Sequence, residues 1–287
     1  MHRFLTVLRS AAIAFAILAF GHGVWGALLT SNLMTTPAIP WSMPAMGAVL
    51  WAMWRFLSNT PARRELLSAN KVPTARTVWT LVTGILAVIS LAGLWIVLFQ
   101  LVKMAPNMIP GMSKYPWWTM LSFAVMGSLV APIVEEAGFR GYCQTALERV
   151  FPGSVAVLIS TILFTMAHLN HGLYWPKLLV YFLFGAVMGT MAYMNKSILP
   201  GIPAHSLGDL VFFTLVWPND AGRLLVSQHG ADTWFWIHVA QTVVFGALTL
   251  VAFRKLRNAP KAYNTLTEVN ACEFSSQTNL SSPVATA

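Results

Sequence analysis

Eight predominantly apolar stretches alternate with short polar connections along the chain, at 10–30, 38–57, 77–102, 117–145, 153–173, 177–195, 198–216 and 233–253. Each is close to the roughly 20 apolar residues that a helix needs to cross a bilayer. The pattern predicts an all-α, polytopic membrane protein with about eight transmembrane helices. The fourth stretch carries a polar extension, R-G-Y-C-Q-T-A-L-E-R at 140–149, that is expected to continue as helix beyond the apolar core. The first stretch follows a basic start like that of a signal peptide. No A-x-A site follows it and the apolar run continues to Leu29, so it is expected to be a retained span. From about Asn258 the chain turns polar and Ser/Thr-rich. The expected division is a membrane domain over 1–257 and a polar, disordered cytoplasmic tail over 258–287.

Composition agrees with the pattern. The chain is 56% hydrophobic and only 9% charged, whereas a soluble domain is nearer a quarter charged. The net charge of +9 raises nucleic acid as a partner, but Lys and Arg fall in short loops between apolar spans. That is the signature of membrane topology, so the bilayer is the expected partner and nucleic acid is not. With the N-terminus inside, Lys103, Lys114, Lys177 and Arg223 are the only basic residues left outside. Both termini are therefore expected to face the cytoplasm, in a protein of the cell (inner) membrane. Cys143 and Cys272 form no C-x-x-C pair, so neither a disulfide framework nor a zinc ribbon is indicated. No internal or inverted repeat is apparent.

Polar residues inside apolar spans carry the candidate chemistry. An ionisable residue at membrane depth costs about 2.5–3.5 kcal/mol on insertion scales, so it is read as functional by default. The chain has nine acidic residues, and Glu135 and Glu136 are adjacent in A-P-I-V-E-E-A-G-F-R-G-Y-C at 131–143. Glu136 and Arg140 are four apart and share a helix face, while Glu135 points about 100° away. Arg140 can thus neutralise Glu136 and leave Glu135 free. In L-F-T-M-A-H, Phe164 and His168 share a face; in L-P-G-I-P-A-H-S-L-G-D, His205 and Asp209 do so. Pro200, Gly201 and Pro203 interrupt the backbone, so a helix is expected to restart near Pro203 with His205 in its first turn. Broken backbone at membrane depth implies a cavity there. Glu135 and His168 are equally far along the chain from the turn at Phe151-Pro152-Gly153, which places them at one depth in an antiparallel pair, roughly 24 Å from the turn. His205 shares that depth only if the 140–150 extension protrudes or N-H-G-L-Y-W-P (170–176) dips inward. Asn170 and His171 read as loop residues, His22 and His238 as packing or interfacial histidines, and Cys143 lacks a base that would make it a nucleophile.

E-E-x-x-x-R, F-x-x-x-H and H-x-x-x-N/D, in that order on three spans, resemble the signature of the CPBP intramembrane proteases, the CAAX-protease and bacteriocin-processing family that includes the Ras-converting endopeptidase. The resemblance covers about 117–216. It implies a membrane endopeptidase, a hydrolase with an intramembrane active-site cavity, that cuts a membrane-associated peptide or protein with a glutamate-activated water. Carried over, Glu135 is the general base assisted by His168, Glu136 and Arg140 fix the helix, and His205 with Asp209 stabilises the oxyanion or holds substrate. A metalloprotease reading stays open, because an ionised Asp209 with His205, His168 and Glu135 would equally hold a divalent metal such as zinc. The metal-free route is preferred, since Glu135 and His168 suffice to activate water and oxyanion help is the missing part. Two rivals come from other classes: a non-catalytic membrane factor of immunity or scaffold type that keeps the fold, and an ion-coupled transporter.

Overall fold

The computed structural model describes residues 2–107 and 114–260, and among them all regular structure is helical. The chain is an all-α, polytopic membrane protein. The elements are α1 (His2–Thr35), α2 (Ser42–Leu57), α3 (Pro61–Leu67), α4 (Thr74–Leu101) and α5 (Trp117–Glu135), which runs on as a π-helix (Glu136–Cys143) into α6 (Gln144–Glu148). After these come α7 (Gly153–Ala167), α8 (Trp175–Asn195), α9 (Gly201–Val211) with a π-helical extension (Phe212–Val216), α10 (Val226–His229) and α11 (Thr233–Asn258). The tail expected after 258 lies outside the described residues beyond Pro260, as does Cys272.

All eight apolar stretches are helical, and among the described residues five helices are long and apolar enough to cross a membrane: α1, α4, α5 through α6, α8 and α11. The expected all-α polytopic bundle is present, with these five helices as its candidate spans. The remaining three, α2, α7 and α9, have 16, 15 and 11 residues. At ~1.5 Å per residue a 15-residue helix reaches about 22 Å, short of the ~30 Å hydrocarbon core. Two of these short helices, α7 and α9, end or begin beside the candidate site.

α4 runs through the centre, packed on α8, α9 and α11, while α1 lies against α5 and its π-helical continuation. Trp95 of α4 anchors the core, stacked on Phe99 and edge-on to Tyr181 and Phe212. Large apolar side chains such as Phe20, Leu158 and Leu250 are exposed on the outside of the bundle. That surface suits lipid, which offers backbone groups no hydrogen bonds, so each span must satisfy its own as a helix. Buried Arg76 closes one end, donating to the carbonyls of Met194 and Ala259 where α8 and α11 finish.

Helix ends near the site have local causes. α7 stops at Ala167 because His168 donates Nδ1–H to the Phe164 carbonyl, one of the last free acceptors of the helix, and Gly172 follows at φ +101. α9 begins at Gly201, two residues before the expected restart, so His205 lies just past its first turn. The preceding loop is held by Ile198, whose N–H donates to the Ser68 carbonyl at 2.9 Å, and by Ser197, which donates to the Asn70 carbonyl at 2.6 Å. α3 falls within a stretch read as loop. It opens on a Thr60 cap that accepts from the Arg63 N–H, with Pro61 in the first position.

Candidate active site

The carboxylates are set by an irregular helix. Pro132 in α5 withholds a backbone donor, and the next turn is the π-helix Glu136–Cys143. Rare π-helical turns occur frequently at functional sites. Gly138 and Gly141 allow neighbours to press against this turn. A β-carbon at Gly138 would be 3.2 Å from the Ala14 carbonyl oxygen of α1, and one at Gly141 would be 2.9 Å from that of Leu67 in α3. The wider turn keeps residues four apart on nearly one face, so Arg140 Nη1 meets Glu136 Oε1 at 3.1 Å with both side chains buried. The guanidinium lies 4.0 Å over the Phe164 ring and approaches the Gly185 carbonyl. Phe164 thus covers Arg140 on one side and contacts the His168 ring, at 4.5 Å between centroids.

Glu136 has a second partner that the sequence reading missed. His205 hydrogen-bonds Glu136 Oε1 through Nδ1 at 2.9 Å. A carboxylate ion-paired with Arg140 only accepts, so Nδ1 carries the proton and Nε2 is turned the other way. That nitrogen is 3.6 Å from Glu135 Oε2 and 3.7 Å from Asp209 Oδ1. The remaining oxygen of Glu135, Oε1, faces His22 Nε2 of α1 at 3.7 Å.

These groups open into one cavity of about 260 Å³ between α1, α4, α5, α7, α8 and α9. Glu135, His168, His205 and Asp209 all line it, while Glu136 and Arg140 are buried behind it. His168 enters at the end of α7, stacked on Tyr181 at 4.2 Å between centroids, with its hydrogen bond to Phe164 and not to Glu135. Aromatic residues including Trp25, Phe184 and Phe213 form the apolar side. The segment after α7 folds back towards the site. His171 turns inward, lines the cavity and hydrogen-bonds the Tyr181 hydroxyl at 2.5 Å. Buried Lys177 secures that segment by donating to the His171 carbonyl and to Asn107.

Asn170, His171 and His22 therefore lie in the cavity and not in plain loop or packing positions. The signal for His22 was present: a titratable residue between two glycines in an otherwise apolar span. Nothing local in the sequence marks Tyr181 or Trp217, which also line the cavity. Among the described residues no group of three or more His, Cys, Asp or Glu side chains is arranged to hold a metal ion. His168 and His205 each give Nδ1–H to an oxygen acceptor and leave Nε2 as the nitrogen available to the cavity.

Comparison with known proteins bears on this site directly. Residues 116–211 match the Rce1-like family model, described as type II CAAX prenyl endopeptidase Rce1-like. Over this part of the chain the sequence is similar to the CAAX-protease family. This part contains all the residues of the three motifs, from Glu135 to Asp209, and leaves α1, α4 and α11 outside. No curated protein and no solved structure matches the chain.

Proposed function

We propose that the chain is a CAAX-type intramembrane endopeptidase in which Glu135 activates a water molecule. The observation that carries this reading is the division of labour between adjacent carboxylates. Glu136 is occupied by Arg140 and His205, while Glu135 presents both oxygens to a cavity that also receives His168 and Asp209. Water gives a proton to Glu135 as its oxygen bonds to the scissile carbonyl carbon. His168 helps to hold that water. His205 and Asp209 face the developing oxyanion or the substrate backbone, the donor to the oxyanion being a protonated Asp209 carboxyl, while Nε2 of His205, without a proton, accepts from a neighbouring donor. The carbon–nitrogen bond then breaks and the departing nitrogen takes the proton from Glu135. The apolar side of the cavity suits a membrane-associated peptide or protein, with prenylated CAAX peptides as the first class to try. The membrane domain extends over 1–257, with both termini on the cytoplasmic side.

The test uses purified full-length protein in detergent or liposomes, a farnesylated CAAX peptide, and an unprenylated membrane-anchored peptide. Wild type should cleave at least one of them, and Glu135→Gln, which keeps the shape but cannot take the proton, should cleave neither while remaining folded. Substantial cleavage by Glu135→Gln removes Glu135 as the base.

A further inference from the structure

His22 belongs to none of the three motifs and lies outside the matched segment 116–211, yet it reaches the same carboxylate. We propose that His22 is a positioning residue for Glu135, holding Oε1 from the α1 side so that Oε2 is presented to His205 and to the attacking water. The proposal rests on the endopeptidase reading above.

Three observations carry it. The two oxygens of Glu135 are bracketed by ring nitrogens at almost equal range, His22 Nε2 at 3.7 Å from Oε1 and His205 Nε2 at 3.6 Å from Oε2. These separations exceed a hydrogen bond, as contacts in a resting site often do before substrate tightens them. Second, His22 Nε2 is shielded from solvent and has no hydrogen-bond partner in the protein. A buried, unpaired ring nitrogen costs stability unless something meets it, and the group directly before it is Glu135. Third, close packing of α1 fixes the approach. Gly21 faces Val134, where any β-carbon would overlap the valine side chain, and Ala14 lies against Gly138 of the π-helix. The residue next to His22 is thus tailored for contact with the element that carries Glu135.

His22 also differs from its partners in access. Its side chain is 39% exposed, against 5% for Glu135 and 2% for His205. A small molecule can therefore reach the place of a truncated His22 ring, which permits a chemical test.

Cleavage is measured for wild type, His22→Phe, His22→Gln and His22→Ala, each checked for folding by thermal unfolding. His22→Phe should lower kcat by about tenfold or more with little change in KM. His22→Gln, whose amide places an N–H near Nε2, should recover much of the loss. Added imidazole should restore part of kcat to His22→Ala. Wild-type kcat in His22→Phe overturns the proposal, as does a loss that neither Gln nor imidazole relieves, since that pattern belongs to a structural role. If the wild type cleaves nothing, the endopeptidase reading fails and this role fails with it. The pairing itself is read separately from melting temperatures of His22→Phe, Glu135→Gln and the double variant. Non-additive shifts support direct contact, and additive shifts overturn it.

Discussion

His205 donates Nδ1–H to Glu136 Oε1 at 2.9 Å, so the second carboxylate of the pair orients the imidazole that faces the first. Glu136 is held in turn by Arg140, and Arg140 by the Phe164 ring and the Gly185 carbonyl. Three motifs from separate helices are one connected object. Disturbing any member should be felt at His205 Nε2.

Arg140 is the first place to look. Removing one partner of a buried ion pair leaves an uncompensated charge at a cost of about 3–5 kcal/mol. Arg140→Ala should lower the melting temperature and the membrane abundance as well as cleavage. Adding Glu136→Gln should recover part of the stability but not the activity, because His205 then loses its charged acceptor. A double variant no more stable than Arg140→Ala would mean that the pair contributes nothing.

His205 permits a finer separation of its two nitrogens. An asparagine amide imitates Nδ1 and can still donate to Glu136, whereas it has nothing in the place of Nε2. His205→Asn should melt near the wild type yet lose cleavage by about 10²-fold or more, the lower range for acid–base or polar assistance. Near-normal cleavage would show that the nitrogen facing Glu135 and Asp209 is dispensable.

Asp209 separates the metal-free mechanism from the metal-assisted one. As a protonated hydrogen-bond donor it can be replaced by Asn, whose amide also offers a proton. Asp209→Asn should keep activity and chelators should have little effect. A folded Asp209→Asn protein that works only with added divalent metal, together with a chelator-sensitive wild type, would favour ligation instead.

The π-helical turn supplies a stability test with an internal control. A methyl group at Gly141 would press on the Leu67 carbonyl oxygen at 2.9 Å, while one at Gly23 has nothing within 4 Å. Gly141→Ala should destabilise the protein by about 1–3 kcal/mol, the usual range for overpacking. Gly23→Ala should be neutral or stabilise by up to about 1 kcal/mol through helix propensity. Thermal unfolding of the two variants side by side checks the contrast.

Much of this arrangement was legible in the chain. Apolar runs located every long helix, and the i, i+4 spacing of Glu136 and Arg140 gave their contact, because both depend on local geometry. The equal spacing of Glu135 and His168 about the Phe151–Gly153 turn brought them to one cavity. Other features were hidden because they arise between elements. The bond from His205 to Glu136 spans 69 residues, and no periodicity reports it. The π-helical turn depends on what presses against Gly138 and Gly141. His22 was visible as an ionisable residue in an apolar span, but a single histidine does not reveal which side of α1 meets α5. The short reach of α7 follows from its ending at His168, where the same hydrogen bond that stops the helix also sets the imidazole tautomer.

A π-helix accommodates one more residue per hydrogen-bonded turn than an α-helix, so 136–143 behaves as a stored insertion. Deleting one residue within 137–143 would allow ordinary i→i+4 bonding to resume with α5 and α6 nearly in register, because the wide turn is what absorbs the extra residue. Gln144 would stay near the Gly189 carbonyl that it now contacts. The side chains within the turn would be re-aimed, Arg140 among them, and with it the contacts to Glu136 and the Phe164 ring. The helix would be more regular and the charged pair behind the cavity would lose its present aim.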